Sequence, residues 1–126
     1  MSTIFSKIIA GEIPCYKIYE DEKTFAFLDI NPESKYHTLV IPKIECDKIY
    51  ELPEDYYSAL WNSVKKIAAA IEKTSGERAL MKVIGTDVPH AHVHINPFDK
   101  TWEHGRTLKF SEEEMTTFAE EITKNI

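Results

Sequence analysis

Segment 90–94 reads His-Ala-His-Val-His, so three of the five histidines stand at every second position. A β-strand sends alternate side chains to opposite faces of its sheet. The three imidazoles are therefore predicted to share one face, and the apolar residues between them the other. Pro89 and Pro97 bracket the segment, as expected near strand ends. Because a row of imidazoles is not needed to pack a core, it indicates a site for metal, phosphate or proton chemistry.

The length and charge of the chain restrict its class. Its 126 residues, 43% of them hydrophobic and 29% charged, predict one soluble globular domain over residues 1–126. A net charge of −6 lacks the basic excess that long nucleic acids require, so we expect no nucleic acid partner. No apolar run could span a bilayer, and the first residues lack the features of a signal peptide. We therefore expect no membrane contact and a cytoplasmic location, where Cys15 and Cys46 would remain free thiols.

Hydrophobic periodicity and turn residues predict five strands and three helices. The predicted helices are Phe5–Ile9, Glu54–Thr74 and a last helix opened by a capping box of Ser111 and Glu114. The predicted strands are Tyr16–Tyr19, Thr24–Leu28, His37–Ile41, Leu80–Ile84 and Ala91–Asn96. Strands and helices are partly segregated along the chain, which favours an α+β fold with a mostly antiparallel sheet.

The long predicted helix has one apolar face, because Leu60, Val64, Ile67 and Ile71 recur at helical spacing. Such a stripe usually packs against a core. Its length and regularity also permit a helix-to-helix contact in a dimer, and the pattern leaves both uses open. The residues predicted to line the buried face of the last helix are Met115, Phe118, Ala119 and Ile122.

Three interpretations of the histidine row follow from the residues alone. The histidines could be satisfied core or surface residues, although three on one strand face fit this less well than one. They could also bind zinc through ring nitrogens, with a further ligand from elsewhere in the chain. The three positions extend over about 13 Å, so all three converge on one ion less easily than two. The candidates for the further ligand are His37, His104, Asp29 and Asp99.

The third interpretation is nucleophilic catalysis at phosphorus. A neutral imidazole attacks phosphorus well and later leaves well, and its pKa of about 6.5 makes it available near neutral pH. An acceptor on the other ring nitrogen would fix the tautomer, while flanking histidines would bind phosphoryl oxygens and pass protons. The residues alone support the metal-binding interpretation and the nucleophile interpretation equally.

Four blocks of the sequence resemble the histidine triad (HIT) family, in its nucleotide-binding branch. The blocks are segments 4–14 (IFSKIIAGEIP), 25–32 (FAFLDINP), 37–42 (HTLVIP) and 90–95 (HAHVHI). They stand in the family's order and together span most of residues 3–98, which is far more specific than three alternating histidines. This branch is typified by purine nucleoside phosphoramidases.

The resemblance implies a five-stranded antiparallel sheet with a long helix, usually paired into a homodimer. It also implies hydrolysis of nucleoside 5′-phosphoramidates or related α-phosphate-linked purine nucleotides, without a cofactor or a metal. His92 would attack the phosphorus and carry a covalent nucleotidyl intermediate. His94 would bind phosphate oxygens and His90 would orient His92, while His37 matches another recurring histidine of the family.

The resemblance further implies the nucleotide contacts. Asp29 would accept hydrogen bonds from the ribose hydroxyls. Thr86, Asp87 and Val88 would lie at the nucleotide, near its phosphate. An apolar slot for the purine would be formed by Phe5, Ile8, Ile13, Phe27 and Ile30. Taken singly, each of these five apolar residues would be interpreted as ordinary core.

The chain departs from the family pattern on the phosphate side. Thr86 stands where the family usually has glutamine, and Asp87 where many relatives have a small hydroxyl residue. A carboxylate there would repel an anionic substrate unless it points away. These positions motivate an alternative function, a nucleotide-binding or signalling module with little catalysis. Asn96 is also polar where the motif usually ends in an apolar pair.

Two further segments bear on the site. Some relatives hold a structural zinc on an early Cys-x-x-Cys, whereas this chain has Thr3 and Ser6 at those positions, so we expect no zinc there. Trp102, His104 and Arg106 follow the histidine segment. The sequence leaves open whether they reach the active site or a partner subunit, or are plain surface residues.

Overall fold

The computed structural model describes residues 3–126. Met1 and Ser2, which begin the segment expected not to be a signal peptide, lie outside the described residues. The helices are α1 (Ile4–Ile9), α2 (Glu54–Ser75) and α3 (Glu112–Lys124), with a 3₁₀ turn at Ile49–Glu51. The strands are β1 (Lys17–Glu20), β2 (Thr24–Leu28), β3 (Thr38–Pro42), β4 (Ala79–Lys82) and β5 (Val93–Pro97).

The five strands form one sheet in the order β1-β2-β3-β5-β4, and every neighbouring pair is antiparallel. This confirms the predicted α+β class with an antiparallel sheet. Strand β2 matches its predicted bounds, as do the end of α1 and the start of α2, and the other element ends differ from the predicted ones by one or two residues. Strand β4 ends at Lys82 rather than Ile84, because the pair of Lys82 with His94 is the last one that β4 makes with β5.

The histidine segment belongs only partly to a strand. Strand β5 begins at Val93 rather than Ala91, because the backbone N–H of Ala91 donates to the carbonyl of Cys46 at 2.6 Å instead of joining the sheet. His90 and His92 therefore precede the strand. The side chains still alternate through this stretch, since the apolar residues pack under the helices and the imidazoles lie on the opposite side with α1.

Helices α2 and α3 cover one face of the sheet. The predicted apolar stripe of α2 is buried against the strands, which confirms its use as core; its use in a dimer stays a prediction. The four predicted residues of α3 are buried in the same cluster. None of the helices within residues 3–126 is both long and apolar enough to cross a bilayer.

The opposite face of the sheet carries a smaller apolar cluster beneath α1. Phe5 and Ile8 from α1 pack there against side chains of β2 and β3. After α1 the chain reverses at Gly11, whose φ of 80° lies in the left-handed region that favours glycine. The short helix therefore lies over the imidazole side of the sheet, and it supplies one wall of the site described below.

Replacing Ser111 with alanine is expected to lower the free energy of unfolding by about 1 kcal/mol, because it removes a helix cap. The Ser111 hydroxyl accepts from the backbone N–H of Glu114 at 3.1 Å, and the Glu114 carboxylate accepts from the backbone N–H of Ser111 at 2.9 Å. Urea unfolding measures the change. Ser58→Ala, at an exposed position inside α2, is the matched control and should show no loss. Equal stability of wild type and Ser111→Ala would contradict the prediction.

Candidate active site

The imidazoles of the histidine segment face the smaller apolar cluster. His90 and His92 are buried and His94 is half-buried. The His92 and His94 rings are 4.9 Å apart between centroids, and Phe5 packs edge-on against His92 at 5.0 Å. Backbone alternation therefore brings the three imidazoles together, and a phenyl ring from α1 restricts the movement of the middle one.

The tautomer of His92 follows from one hydrogen bond. Its Nδ1 lies 2.7 Å from the backbone carbonyl oxygen of His90. A carbonyl oxygen can only accept, so Nδ1 carries a proton and donates it, and in the neutral imidazole the lone pair therefore lies on Nε2. This Nε2 is buried and has no hydrogen-bond partner within residues 3–126. The side chain is 1% exposed and contacts a cavity. A buried imidazole nitrogen with a free lone pair is the arrangement that a nucleophile needs.

His90 is held in the other tautomer. Its Nε2 donates to the carbonyl oxygen of Pro42 at 2.9 Å, so its Nδ1 accepts from the Thr3 hydroxyl, also at 2.9 Å. The same hydroxyl caps α1 by accepting from the backbone N–H of Ser6. Burial lowers the pKa of His90, although the hydrogen bond to Pro42 acts in the opposite direction. His90 is thus anchored on both sides, and its own carbonyl in turn orients His92.

A second chain of hydrogen bonds fixes His94. The backbone N–H of Glu33 donates to Nδ1 of His37 at 2.9 Å, so the His37 proton lies on Nε2 and is donated to Nδ1 of His94, again at 2.9 Å. His94 therefore carries its proton on Nε2. Burial, with the neighbouring histidine, lowers the pKa of His37 to about 3 and that of His94 to about 4. Both rings are neutral at pH 7, and His94 offers an N–H donor.

The stability of the protein is expected to fall as the pH falls from about 6.5 toward 5, because both histidines have a lower pKa in the folded state than the ordinary value of about 6.5. The unfolded chain then binds more protons than the folded one. The loss should be on the order of 1 kcal/mol per pH unit for a fully buried group such as His37. Urea unfolding between pH 7 and 5 measures the slope. His37→Gln should show a shallower slope, and equal slopes for both proteins would contradict the prediction.

Asp29 lies beside the histidine pair. One of its carboxylate oxygens is 3.5 Å from Nε2 of His37, and the other accepts from the backbone N–H of Asn31 at 2.9 Å. Burial raises the pKa of Asp29, and the nearby carboxylates of Glu33 and Asp87 act in the same direction. The carboxylate is partly shielded from solvent and keeps acceptor capacity for a ligand hydroxyl.

The same residues form a possible metal-binding group. One ligand atom each from Asp29, His37 and His94 lie within 4.8 Å of one another. This group combines one histidine of the row, His94, with two of the further ligands considered from the sequence, His37 and Asp29. However, the facing nitrogens of His37 and His94 already share a hydrogen bond, so a metal between them would have to displace that proton.

The residues predicted to form the purine slot do line one cavity of about 190 Å³. Phe5, Ile8 and Phe27 form its buried floor, whereas Ile30 is 69% exposed and stands at its rim. Asp29 lies at the same cavity. The remaining predicted site residues along its wall are Ile13, Asp87, Val88, His92 and His94. The structure therefore brings an apolar slot, a carboxylate and the free Nε2 of His92 to one opening.

A second cavity, of about 340 Å³, adjoins the first on the side of His94. Thr86 and Asp87 line it together with His37. The Asp87 carboxylate does not point away from the reacting position, since its Oδ1 lies 3.7 Å from Nε2 of His92. Asp87 therefore stands at the passage between the two cavities.

The sequence did not single out the buried polar cluster behind this second cavity. Glu33 is buried and its carboxylate accepts hydrogen bonds from Lys82 Nζ at 2.7 Å and from the backbone N–H of Gly105 at 2.6 Å. The buried amide of Asn96 donates to the same carboxylate at 3.3 Å and accepts from Ser34 at 2.6 Å. The unexpected polarity of Asn96 was the one signal of this cluster, because a buried amide needs hydrogen-bond partners.

The segment after the histidines does reach the site. His104 and Arg106 line the second cavity, and the Arg106 Nε donates to the carbonyl oxygen of Glu33 at 2.7 Å. Trp102 lies under the Lys82 ammonium, with its ring centroid 5.3 Å away. Sequence spacing alone could not decide this placement, because it depends on how the loop returns to Glu33.

The chain is similar in sequence to proteins of one family. A family model described as the HIT domain matches residues 10–101. A Schizosaccharomyces pombe protein named adenosine 5′-monophosphoramidase is 38% identical over 133 aligned residues, which cover 100% of this chain and 99% of that protein. An uncharacterized HIT-like protein of Methanocaldococcus jannaschii is 40% identical over 114 residues, or 86% of this chain and 87% of that protein.

The fold has a close counterpart among solved structures. The crystal structure of a HIT-like protein from Bartonella henselae superposes with a TM-score of 0.89 at 29% sequence identity. The superposition covers 99% of this chain and 96% of that chain. The sheet, the helices and the short α1 that walls the cavity are therefore included in the likeness.

Proposed function

This chain belongs to the HIT domain family, and from that premise we propose that it hydrolyses nucleoside 5′-phosphoramidates or related α-phosphate-linked purine nucleotides. The observation that carries the proposal is the free Nε2 of His92. In the neutral ring it carries the lone pair, because Nδ1 donates to the His90 carbonyl, and it is buried in a side chain that contacts a cavity. Relatives named adenosine 5′-monophosphoramidase support the same reaction class.

In the proposed reaction, Nε2 of His92 forms a bond to the α-phosphorus as the bond to the leaving nitrogen breaks. The electron pair of that bond returns to the leaving nitrogen, which takes up two protons from solvent and departs as an ammonium ion. Water then attacks the nucleotidyl-histidine and gives its two protons back to solvent, and His92 leaves as a neutral imidazole. Overall, the phosphoramidate monoanion and one water give a nucleoside monophosphate dianion and an ammonium cation.

The neighbouring histidines would support this step in different ways. The Nε2–H of His94 would donate to a phosphoryl oxygen as negative charge develops there. His37 would keep that proton on Nε2 through its own hydrogen bond to His94. His90 would position the nucleophile through its carbonyl. These roles follow from the tautomers that the hydrogen bonds impose.

The nucleotide would lie in the apolar cavity. The purine would pack on Phe5, Ile8 and Phe27, and the ribose hydroxyls would donate to the Asp29 carboxylate. Thr86, Asp87 and the backbone near Val88 would then lie beside the phosphate. Of these contacts the ribose contact is the most specific, since a carboxylate can accept from two adjacent hydroxyls.

Turnover of a fluorogenic adenosine 5′-phosphoramidate by the purified protein tests the proposal directly. We expect hydrolysis that is unaffected by EDTA, together with an acid-labile nucleotidyl adduct on His92 detected by mass spectrometry after an alkaline quench. Loss of activity in EDTA, with stoichiometric zinc by elemental analysis, would instead favour a metal at Asp29, His37 and His94. Absence of turnover of this substrate would contradict the proposed function.

A second candidate function is a nucleotide-binding module with little catalysis. The observation that favours it is the Asp87 carboxylate 3.7 Å from Nε2 of His92, where it opposes an incoming anion. Under this alternative the protein binds AMP with a dissociation constant in the micromolar range, on the order of −8 kcal/mol, and no adduct forms. Calorimetry together with the turnover assay separates the two functions.

We also propose that the protein forms a homodimer and is located in the cytoplasm. Apolar side chains are exposed on and beside the edge strand β4, including Met81, Val83 and Phe98. Exposed apolar groups at a sheet edge support pairing with a second copy. The free thiols of Cys15 and Cys46 suit a reducing compartment.

A further inference from the structure

The second cavity is lined by more acidic side chains than lysine and arginine side chains. Its lining includes the acidic side chains of Asp29, Glu33 and Asp87 and the basic side chains of Lys82 and Arg106. The two basic groups are already engaged, because Lys82 pairs with Glu33 at 2.7 Å and Arg106 pairs with Asp99 at 3.6 Å. Among the described residues, no lysine or arginine lies within ion-pair distance of Asp29 or Asp87. The charged side chains that line this cavity therefore have a net negative formal charge.

Asp87 lies nearer to the reacting position than the other acidic groups. Its side chain is 71% exposed, it lines both cavities, and its Oδ1 is 3.7 Å from the unpartnered Nε2 of the buried His92. A phosphorus in position for attack lies about 3 Å from that nitrogen, so a leaving atom lies about 5 Å from it. The leaving atom is then within about one Debye length of the Asp87 carboxylate. The charge of the leaving group therefore interacts with this carboxylate without being fully screened by salt.

Leaving groups differ in the sign of charge that they carry away. An amine departs from a phosphoramidate as a cation, whereas the phosphate or sulfate of an anhydride departs as an anion. A carboxylate at the passage stabilises the first and repels the second. Its repulsion of the α-phosphoryl group itself is common to both substrates and cancels in the comparison.

We propose that Asp87 makes this site select substrates whose leaving group departs as an ammonium ion and disfavour nucleotide anhydrides. This inference rests on the proposed hydrolase function and specifies its substrate class. Asp87 acts as a specificity-determining residue, since its exposed carboxylate makes no hydrogen bond to the three histidines of the row. The like charge of Asp29, which lines the same cavity, strengthens the same preference.

The test compares kcat/KM for an adenosine 5′-phosphoramidate of a primary alkylamine with kcat/KM for ADP. Asp87→Asn keeps the size of the side chain and an oxygen that can accept from the backbone N–H of Val88, and it removes only the charge. We expect the amine-to-anhydride ratio to fall about tenfold or more in this variant. Glu72→Gln, an exposed charge change on α2 across the sheet, should leave the ratio unchanged. A ratio in Asp87→Asn within about twofold of wild type would overturn the inference.

Binding separates failure of this inference from failure of the proposed function. If the wild-type protein hydrolyses neither substrate, the proposed function fails, and calorimetry still decides the role of Asp87. The probes are ADP and the 2-aminoethyl ester of AMP, which carry opposite charges beyond the α-phosphate. Asp87→Asn should bind ADP more tightly and the aminoethyl ester more weakly than wild type. Equal affinities in the two proteins would overturn the charge selection.

Discussion

His92→Ala is expected to lower kcat/KM for an adenosine phosphoramidate by on the order of 10⁴-fold or more, because it removes the attacking atom. Neither of the other two imidazoles of the row is placed to replace it. His90 has both ring nitrogens in hydrogen bonds, and the Nε2 of His94 carries a proton. A steady-state assay with matched protein concentrations measures the loss.

The control for His92→Ala must separate lost chemistry from lost structure, since the imidazole is buried. His92→Asn serves this purpose, because its amide can still donate toward the His90 carbonyl but has no nucleophilic lone pair. We expect both variants to be inactive, and His92→Asn to retain a cooperative thermal transition and AMP binding. An active His92→Asn, or an adduct found on another residue, would contradict the assignment of the nucleophile.

Lys82→Met is expected to lower the free energy of unfolding by about 3 kcal/mol at pH 7, because it leaves the buried Glu33 carboxylate without its cation. Lys82 Nζ lies 2.7 Å from that carboxylate, and both side chains are largely shielded from solvent. Burial raises the pKa of Glu33, but the hydrogen bonds from Lys82 and Gly105 outweigh burial and hold this pKa below its ordinary value. Urea unfolding of wild type and variant measures the difference.

The pH dependence of this difference identifies its cause. A carboxylate with a depressed folded-state pKa stabilises the protein above the ordinary glutamate pKa of about 4.3, and this stabilisation is lost as the pH falls through the lower, folded-state value. The gap between wild type and Lys82→Met should therefore narrow below pH 4. Lys35→Met, at an exposed position, is the matched control and should change stability by less than about 0.5 kcal/mol. A gap that is independent of pH would show that lost packing, rather than charge, destabilises the variant.

Much of the fold could be predicted because its signals are local. Apolar periodicity located α2, and an aromatic-rich apolar run next to a turn segment located β2 to its last residue. The capping box of Ser111 and Glu114 marked the start of α3. These patterns depend on neighbours within a few positions along the chain, so no tertiary information is needed to recognise them.

The ends of β4 and β5 were predicted less well, because they depend on partners that are distant in sequence. The pattern 90–94 alternates as a strand does, yet the backbone of Ala91 bonds to a loop at Cys46. The alternation of side chains survives this change, since an extended backbone needs no sheet partner to alternate. The predicted grouping of the three imidazoles was therefore correct even though two of them precede the strand.

The amino-acid sequence determined which residues are available for chemistry here: a row of histidines, a distant His37, an aspartate after a strand and an apolar slot at known positions. Only the tertiary structure decided which ring nitrogen of each histidine carries the proton and how the second cavity is enclosed. Carbonyl acceptors at His90 and Pro42, and a backbone donor at Glu33, place each imidazole proton, and the return of the loop at residues 104–106 encloses the second cavity. The physical reason is that a tautomer depends on which acceptor or donor lies within about 3 Å. In a folded chain that partner comes from residues far away in sequence.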